Sequence, residues 1–304
     1  MAPTSTPTSL PSALPALQGP VALIGAGLIG GSFALGLRAA RPDLQVRVFD
    51  HHPDHVSQAL ACGIASLAAA TLAEAVAGAQ LVVLAVPVGA LPALFAELEP
   101  WITPGMVITD VGSTKADVCA AARVALADRM PAFVPGHPIA GAERSGPAAA
   151  TSRLFDGRRV VLCPQDETDP AALSLVQACW EACGATVHRL PADQHDQVFA
   201  AVSHLPHLLS YALVAEFAGR PDGALLFSYA AGGFRDFTRI AASHPAMWRD
   251  IALANQQALL GELDAYVAAL QRLRQQVAER DGAGLFALFD AARTARVRWG
   301  EEQR

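Results

Sequence analysis

The segment Val21-Ala22-Leu23-Ile24-Gly25-Ala26-Gly27-Leu28-Ile29-Gly30-Gly31 constrains this chain more than any other. Four apolar residues of strand composition run straight into a glycine turn, and helical composition follows over 32–40. In that setting Gly25 permits the tight turn, Gly27 lets the backbone approach a pyrophosphate, and Gly30 lets helix and strand pack closely. Leu28 and Ile29 then bring helix-terminal N–H groups to the phosphates. Asp50 lies about 20 residues beyond Gly30, at the end of the next apolar run, where a carboxylate would hold the adenine ribose hydroxyls. A ligand-free buried Ala/Gly turn is the competing reading, and it leaves this context unexplained. A carboxylate repels a 2′-phosphate, so Asp50 favours NAD over NADP. His51 and His52 can carry partial charge, which leaves NADP open.

Apolar runs at 21–24, 45–49, 81–86, 106–109, 132–134, 160–163 and 186–188 alternate with Ala/Leu-rich helical stretches. That alternation predicts a parallel sheet covered by helices. The pattern changes near Pro191. Beyond it, 193–217, 245–279 and 285–297 read as helices, several apolar on nearly all faces, which must be buried in a bundle or against another subunit. The expected organisation is a disordered Pro/Ser/Thr/Ala-rich leader over 1–19, a Rossmann-type α/β dinucleotide-binding domain over 20–190, and an all-helical substrate and dimerisation domain over 191–304 that forms a homodimer.

Composition closes off other classes. With 52% apolar and 16% charged residues the chain has ample surface to bury, which excludes a disordered chain. Lys and Arg total 22 against 28 Asp and Glu, so no basic stripe is available for nucleic acid. Residues 75–96 lack charge, but Gly78, Pro87, Gly89 and Pro92 interrupt them, which argues against a membrane span. No Lys or Arg precedes Arg38, so the N-terminus is a poor secretory signal. Cys62, Cys119, Cys163, Cys179 and Cys183 read as thiols, mostly buried, in a reducing cytoplasm.

The chemistry should lie where strands end. Val86 and Pro87 close the 81–86 run, where they wall a cofactor cleft or simply end the strand. Asp110-Val111-Gly112-Ser113-Thr114-Lys115 closes the next and contains the chain's only lysine. Ser113 falls beside a nicotinamide in this reading; Ser113 or Thr114 capping the helix from Ala116 is the simpler one, and the two are compatible. His137 follows in a Gly/Pro-rich polar loop. Oxidation of a carbinol carbon releases the hydroxyl proton, and a histidine near the nicotinamide can accept it. A structural loop histidine is the alternative. In the helical half, His195 lies between Asp193 and Asp196, and Ser203-His204-Leu205-Pro206-His207 follows. Three histidines invite a metal, but no Cys or Glu completes a compact set and none is expected. Arg235 and Arg239 are i,i+4 and on a helix would share a face suited to a dicarboxylate, with surface pairing to Asp236 as the alternative.

The motifs GAGLIGGS, DVGSTK, GHPIAGAERSG, SHLPH and GGFRDFTRIAASHPAMWRDI together resemble the prephenate dehydrogenase family, which includes arogenate and cyclohexadienyl dehydrogenases. The resemblance covers essentially the whole chain after residue 19. It implies NAD(P)-dependent oxidative decarboxylation of prephenate to 4-hydroxyphenylpyruvate, in tyrosine biosynthesis, by a Rossmann domain joined to a helical dimerisation domain. Carried over by motif, His137 takes the ring-hydroxyl proton, and Ser113 touches that hydroxyl and the nicotinamide. Arg239 clamps the ring carboxylate, and His207 and Ser203 line the substrate pocket. Glu143, Arg235 and Asp236 form a charged network at its mouth, and His195 sits near the site. The family often carries Lys at the position of Arg235. Arogenate, with an amine in place of the side-chain ketone, is the alternative substrate, favoured if an acid such as Glu143 lies near that end. Two rivals stand further off. A β-hydroxyacid dehydrogenase would need a catalytic Lys in the helical half, which this chain lacks. A nicotinamide-binding sensor would not need His137, Ser113 and Arg239 together.

Overall fold

The structure, a computed structural model, describes residues 17–141 and 144–302. Six parallel strands form one sheet: β1 (Val21–Ile24), β2 (Val46–Phe49), β3 (Leu67–Ala68), β4 (Leu81–Leu84), β5 (Val107–Asp110) and β6 (Phe133–Val134), in the order β3-β2-β1-β4-β5-β6. The central strands β1 and β4 are buried at every residue, which is why they read as unbroken apolar runs rather than alternating ones. The strand order reverses between β1 and β4, and open α/β sheets bind ligands in the crevice beyond such a point.

Helices cover both faces. On one, α1 (Leu28–Ala40) lies with α2 (Pro53–Ala61) and a later helix, α6 (Pro170–Ala182). Its core centres on Trp180, whose ring meets Phe33 at 4.3 Å and Phe155 at 5.0 Å between centroids. On the other lie α3 (Leu72–Val76), α4 (Leu91–Leu98) and α5 (Ala116–Leu126), around Leu94, Phe95, Val118 and Phe133. Deleting one such buried ring typically costs about 3–5 kcal/mol. Cys119, Cys163, Cys179 and Cys183 are buried thiols in these layers, and Cys62 is exposed.

The fold class expected from the sequence stands, with corrections in detail. The last strands do not join the parallel sheet. They make a second sheet, β7 (Gly136–Pro138), β8 (Arg159–Leu162) and β9 (Thr186–Arg189), in which β7 runs antiparallel to β8. His137 therefore sits on a strand, opposite Val161, and not in a loop. The order of the chain begins before residue 20: Leu17 is fully buried, and the N–H groups of Gln18 and Gly19 donate to Gln80 Oε1. Residues 1–16 of the expected leader lie outside the described residues.

Beyond β9 the described chain is helical. The helices are α7 (Ala192–Phe199), α8 (Leu205–Ala218), α9 (Gly223–Ser228), α10 (Gly232–Thr238), α11 (Pro245–Ala254), α12 (Gln256–Ala278) and α13 (Gly282–Glu302). The chain forms two compact units, one up to Gln256 and one from Gln257 onward, so α7–α11 pack in the same unit as the sheets. A wide π-helical turn, Ala200–His204, joins α7 to α8 where the sequence pattern predicts one continuous helix. Such turns shift the helix register and concentrate at functional sites. The run Ala192–Ala218 is long and apolar enough to cross a membrane by length and composition, yet its buried residues include His195, Asp196, His204 and Ser210.

Candidate active site

The glycine turn has the shape that a dinucleotide needs. Gly25 has φ +93°, and a Cβ there would lie 2.3 Å from the Ala85 carbonyl oxygen, so no other residue fits. A Cβ on Gly30 would strike Ala85 and the Gly25 carbonyl, both at 2.6 Å, where α1 crosses between β1 and β4. Gly27 differs: a Cβ there would meet nothing within 4 Å. It is the N-cap of α1, no side chain caps the helix, and no acid occupies its first turn. Open space and free helix-terminal N–H groups together suit an anion. Leu28 and Ile29 are half-buried beside it, half-buried Val86 lies next to Gly25, and Pro87 is exposed at the end of β4.

Asp50 stands at the end of β2. Its Oδ2 accepts the Ala26 N–H at 2.9 Å and faces His55 Nδ1 at 3.3 Å, and its Oδ1 accepts the His52 N–H at 2.9 Å. Burial works against its charge, but these hydrogen bonds win and hold its carboxyl below the usual range. The carboxylate is thereby tied to the glycine turn itself.

A second cluster sits past the ends of β5 and β6. Asp110, the last residue of β5, is fully buried and pairs with the Nζ of Lys115, also fully buried. The same carboxylate accepts the Gly112 N–H at 2.8 Å and the Gly136 N–H at 3.1 Å. One acid thus ties the loop bearing Ser113 to the strand bearing His137. Removing either partner would strand a buried charge, at a typical cost of about 3–5 kcal/mol. The helix cap expected from Ser113 or Thr114 comes from elsewhere. Asp196 of α7 accepts the N–H of Lys115 on Oδ1 and that of Ala116 on Oδ2, each at 2.8 Å. A carboxylate at the start of α5 also complements the helix dipole.

From Asp196 a chain of contacts leads to His137. Asp196 Oδ1 faces His195 Nδ1 at 2.8 Å, and His195 Nε2 faces His137 Nδ1 at 2.8 Å. Phe199 packs against both imidazoles, with centroids 4.5 Å from His195 and 4.9 Å from His137. Behind them Asn255 Nδ2 donates to the Asp196 carbonyl at 2.8 Å and faces His204 Nδ1 at 3.1 Å. His195, expected in the substrate-binding set, is fully buried with both ring nitrogens engaged, so it backs His137 and cannot line a pocket.

His207 and Ser203 come together through the turn between α7 and α8. His207 Nδ1 donates to the Ser203 carbonyl at 2.8 Å, and its ring stacks on Trp248 of α11 with centroids 3.6 Å apart. Trp248 in turn packs with Val88, next to Pro87. Arg239 lies one residue past the end of α10 and opens a tight turn, Arg239–Ala242, so it and Arg235 do not share one regular helix. Its charge reaches His207. Tyr211 of α8 donates to the Ser243 carbonyl at 2.6 Å and fixes the end of that turn. Arg235 and Asp236 are exposed on α10, which Phe234 anchors by stacking on Phe217. Glu143, the third member of the expected charged network, lies outside the described residues.

Four site histidines share one electrostatic state. Burial first, then His195, Lys115 and His204 nearby, pushes His137 well below the usual histidine value. Burial also lowers His195, against its contact with Asp196, and it lowers His207 and takes His204 down to about 4. These imidazoles stay neutral in the fold at neutral pH, so they can accept protons. The sign for stability follows. Unfolded histidines bind protons from about pH 6.5 downward, whereas the folded ones resist until lower pH. Stability present above pH 6.5 is therefore lost as pH falls. His204 alone should contribute on the order of 3 kcal/mol to that loss by pH 4. Urea midpoints measured from pH 7 to pH 4 should drop steadily; a flat series would mean that these rings are not shielded.

The fold and this site define a nucleotide-binding oxidoreductase with a histidine at the ligand edge of the sheet. Residues 33–189 match the family description "Prephenate dehydrogenase, nucleotide-binding domain", and residues 191–291 match "Prephenate dehydrogenase, dimerization domain". The chain belongs to the prephenate dehydrogenase family. It is 37% identical over 281 residues to the cyclohexadienyl dehydrogenase of Zymomonas mobilis, covering 91% of this chain and 94% of that one. It is 35% identical to the prephenate dehydrogenase of Bacillus subtilis, covering 91% of this chain and 75% of that one. Among solved structures, the prephenate dehydrogenase of A. aeolicus in complex with hydroxyphenyl propionate and NAD+ superposes with a TM-score of 0.86 at 33% identity, covering 91% of this chain and 97% of that one. The arogenate dehydrogenase of Synechocystis gives 0.77 at 28% identity, covering 92% and 99%.

Sequence reasoning named His137, Ser113, His207 and Arg239 but missed Asp110, Asp196, Asn255 and Trp248. The acid-flanked His195 and the single lysine were the available signals for the first two.

Proposed function

We propose that this chain oxidatively decarboxylates prephenate with NAD+ to 4-hydroxyphenylpyruvate and CO2. The observation that carries the reading is His137: a neutral, half-buried histidine on β7, which Asp110 ties to the end of β5 of the nucleotide-binding sheet, backed by a buried acid through His195. Gly25, Gly27, Gly30 and Asp50 would hold the dinucleotide, with Val86 and Pro87 at the wall of its cleft. Bound there, NAD+ supplies the oxidant for the ring carbon that bears the hydroxyl. His137 accepts the hydroxyl proton, and Ser113, on the loop that Asp110 ties to the same strand, orients that hydroxyl. Arg239 holds the ring carboxylate, and His207 on Trp248 walls the pocket. Loss of CO2 leaves an aromatic ring, so the protein has to position the ring and take one proton.

The cyclohexadienyl and arogenate dehydrogenases among the relatives support a second reading, in which arogenate is also or instead oxidised, giving tyrosine directly. Turnover measured with prephenate and with arogenate, each with NAD+ and NADP+, tests both. No reduced nicotinamide with either substrate overturns the assignment.

Asp50 should set the cofactor. Asp50→Ala removes both the ribose contact and the repulsion of a 2′-phosphate, so kcat/KM should fall for NAD+ and improve relative to it for NADP+. A wild type that prefers NADP+ refutes this.

The helical part pairs two copies. Support comes from the matched dimerisation description and from exposed apolar side chains on α12 and α13, among them Leu270, Phe286, Phe289 and Trp299. Light scattering should give a dimer; a stable monomer at micromolar concentration would refute the pairing.

A further inference from the structure

A histidine that takes a proton has two nitrogens to take it with, and only one can face the substrate. We propose that Asp196 and His195 are positioning residues that lock His137 in the tautomer with a proton on Nδ1 and a free lone pair on Nε2. The proposal rests on the reading of His137 as the proton acceptor.

The argument starts at the carboxylate. Both oxygens of Asp196 accept backbone N–H groups of the α5 terminus, at 2.8 Å each. The carboxyl is thus used as an acceptor, and the His195 Nδ1 that faces it at 2.8 Å must carry a hydrogen. A neutral imidazole has one N–H, so His195 Nε2 presents a lone pair. That lone pair faces His137 Nδ1 at 2.8 Å, which must donate. The remaining nitrogen of His137, Nε2, is then the acceptor. Burial of both rings favours the neutral forms that the argument needs. The relay is braced at each member. Asn255 anchors the Asp196 carbonyl, and Phe199 packs on both rings and restricts their rotation.

The arrangement also couples two loops. Asp196 holds the start of α5, immediately after Ser113 and Thr114, while its partner ring aims His137 on β7. One acid therefore sets the register of the hydroxyl-orienting loop and the direction of the accepting lone pair.

Asp196→Asn is the informative change because it keeps an acceptor for the helix start. Its oxygen keeps the Ala116 N–H, and its NH2 takes the place of Oδ1, which faces both His195 Nδ1 and the Lys115 N–H, so the Lys115 hydrogen bond is given up and the amide donates to His195 Nδ1. That reverses each proton in the chain and leaves His137 with N–H on Nε2. Expected results are a fall in kcat of about 10²–10⁴, with KM for prephenate and NAD+ affinity little changed. Nitrogen-15 NMR of the imidazoles should show His137 protonated at Nδ1 in the wild type and at Nε2 in the variant. A second pair guards against misfolding. His195→Gln offers an amide oxygen near the place of Nε2 and should keep kcat at least tenfold above His195→Leu, which offers none. Wild-type turnover and an unchanged tautomer in Asp196→Asn would overturn the relay, as would equal kcat in the two His195 variants. Loss of activity in His137→Asn alongside either result leaves the acceptor reading intact. Near-normal turnover in His137→Asn removes that reading itself.

Discussion

His137→Asn should lower kcat by about 10²–10⁴, the usual range for loss of a general base, with a smaller effect on KM. Asparagine keeps a polar group near Nδ1, so the contact to His195 has a partial substitute and the strand need not move. What is lost is a lone pair that takes a full proton. The pH profile gives the sharper test. The active form is the neutral ring, so the rate falls as pH drops through the His137 value. Burial first, then Lys115 and the neighbouring histidines, places that value well below 6.5. The wild-type profile should therefore stay level through pH 6.5 and bend only in more acid solution, and the variant should lose that limb. A wild-type limb at or above the ordinary histidine value would mean that His137 is more solvated than its surroundings imply. Near-normal turnover would remove it from the chemistry.

What could be read in advance depended on how far apart the interacting residues are. The glycine turn is local. Gly25, Gly27 and Gly30 act within six residues, and Asp50 binds the turn through the Ala26 N–H, so motif spacing captured the geometry. The central strands were legible because burial on both faces makes them continuously apolar. β7 was not. It has three residues, follows Pro135 and ends in Pro138, and each residue pairs with a partner on β8 more than 20 residues further along the chain. Residues of that kind read as a loop until the partner strand is known. The Asp196 cap on α5 spans 80 residues and leaves no local trace, so Ser113 and Thr114 were the natural candidates for its place. Lys115 was conspicuous by being unique, but its role needs Asp110 buried beside it.

The break after α10 matters for the substrate anion. Arg235 and Arg239 were expected on one face, yet the helix ends at Thr238 and Arg239 opens a turn held to α8 through Tyr211 and Ser243. Both arginines are exposed, but Arg239 acts electrostatically on His207, which stacks on Trp248, and Arg235 has no such link. The two arginines should then differ in effect. Replacing Arg239 by Ala or Gln should raise KM for prephenate strongly. A ring carboxylate left without its charge-assisted partner beside an apolar ring would lose about 2–5 kcal/mol of binding if the site closes over it. Arg235→Ala, without the link to His207, should cost less. NAD+ affinity should hardly change in either, because neither residue belongs to the glycine turn. The effect on kcat should be the smaller part. A guanidinium that held the departing carboxylate more tightly in the transition state than in the ground state would oppose loss of CO2, so Arg239 can help mainly by binding. His207 supplies an internal control. Its value is lowered in part by the Arg239 charge, so Arg239→Gln should raise it, and NMR titration of the imidazole reads this without substrate. The expected order of KM is Arg239→Ala well above Arg235→Ala, and that above wild type. Equal, small changes would place the ring carboxylate elsewhere, and an unshifted His207 would separate the arginine from the pocket altogether.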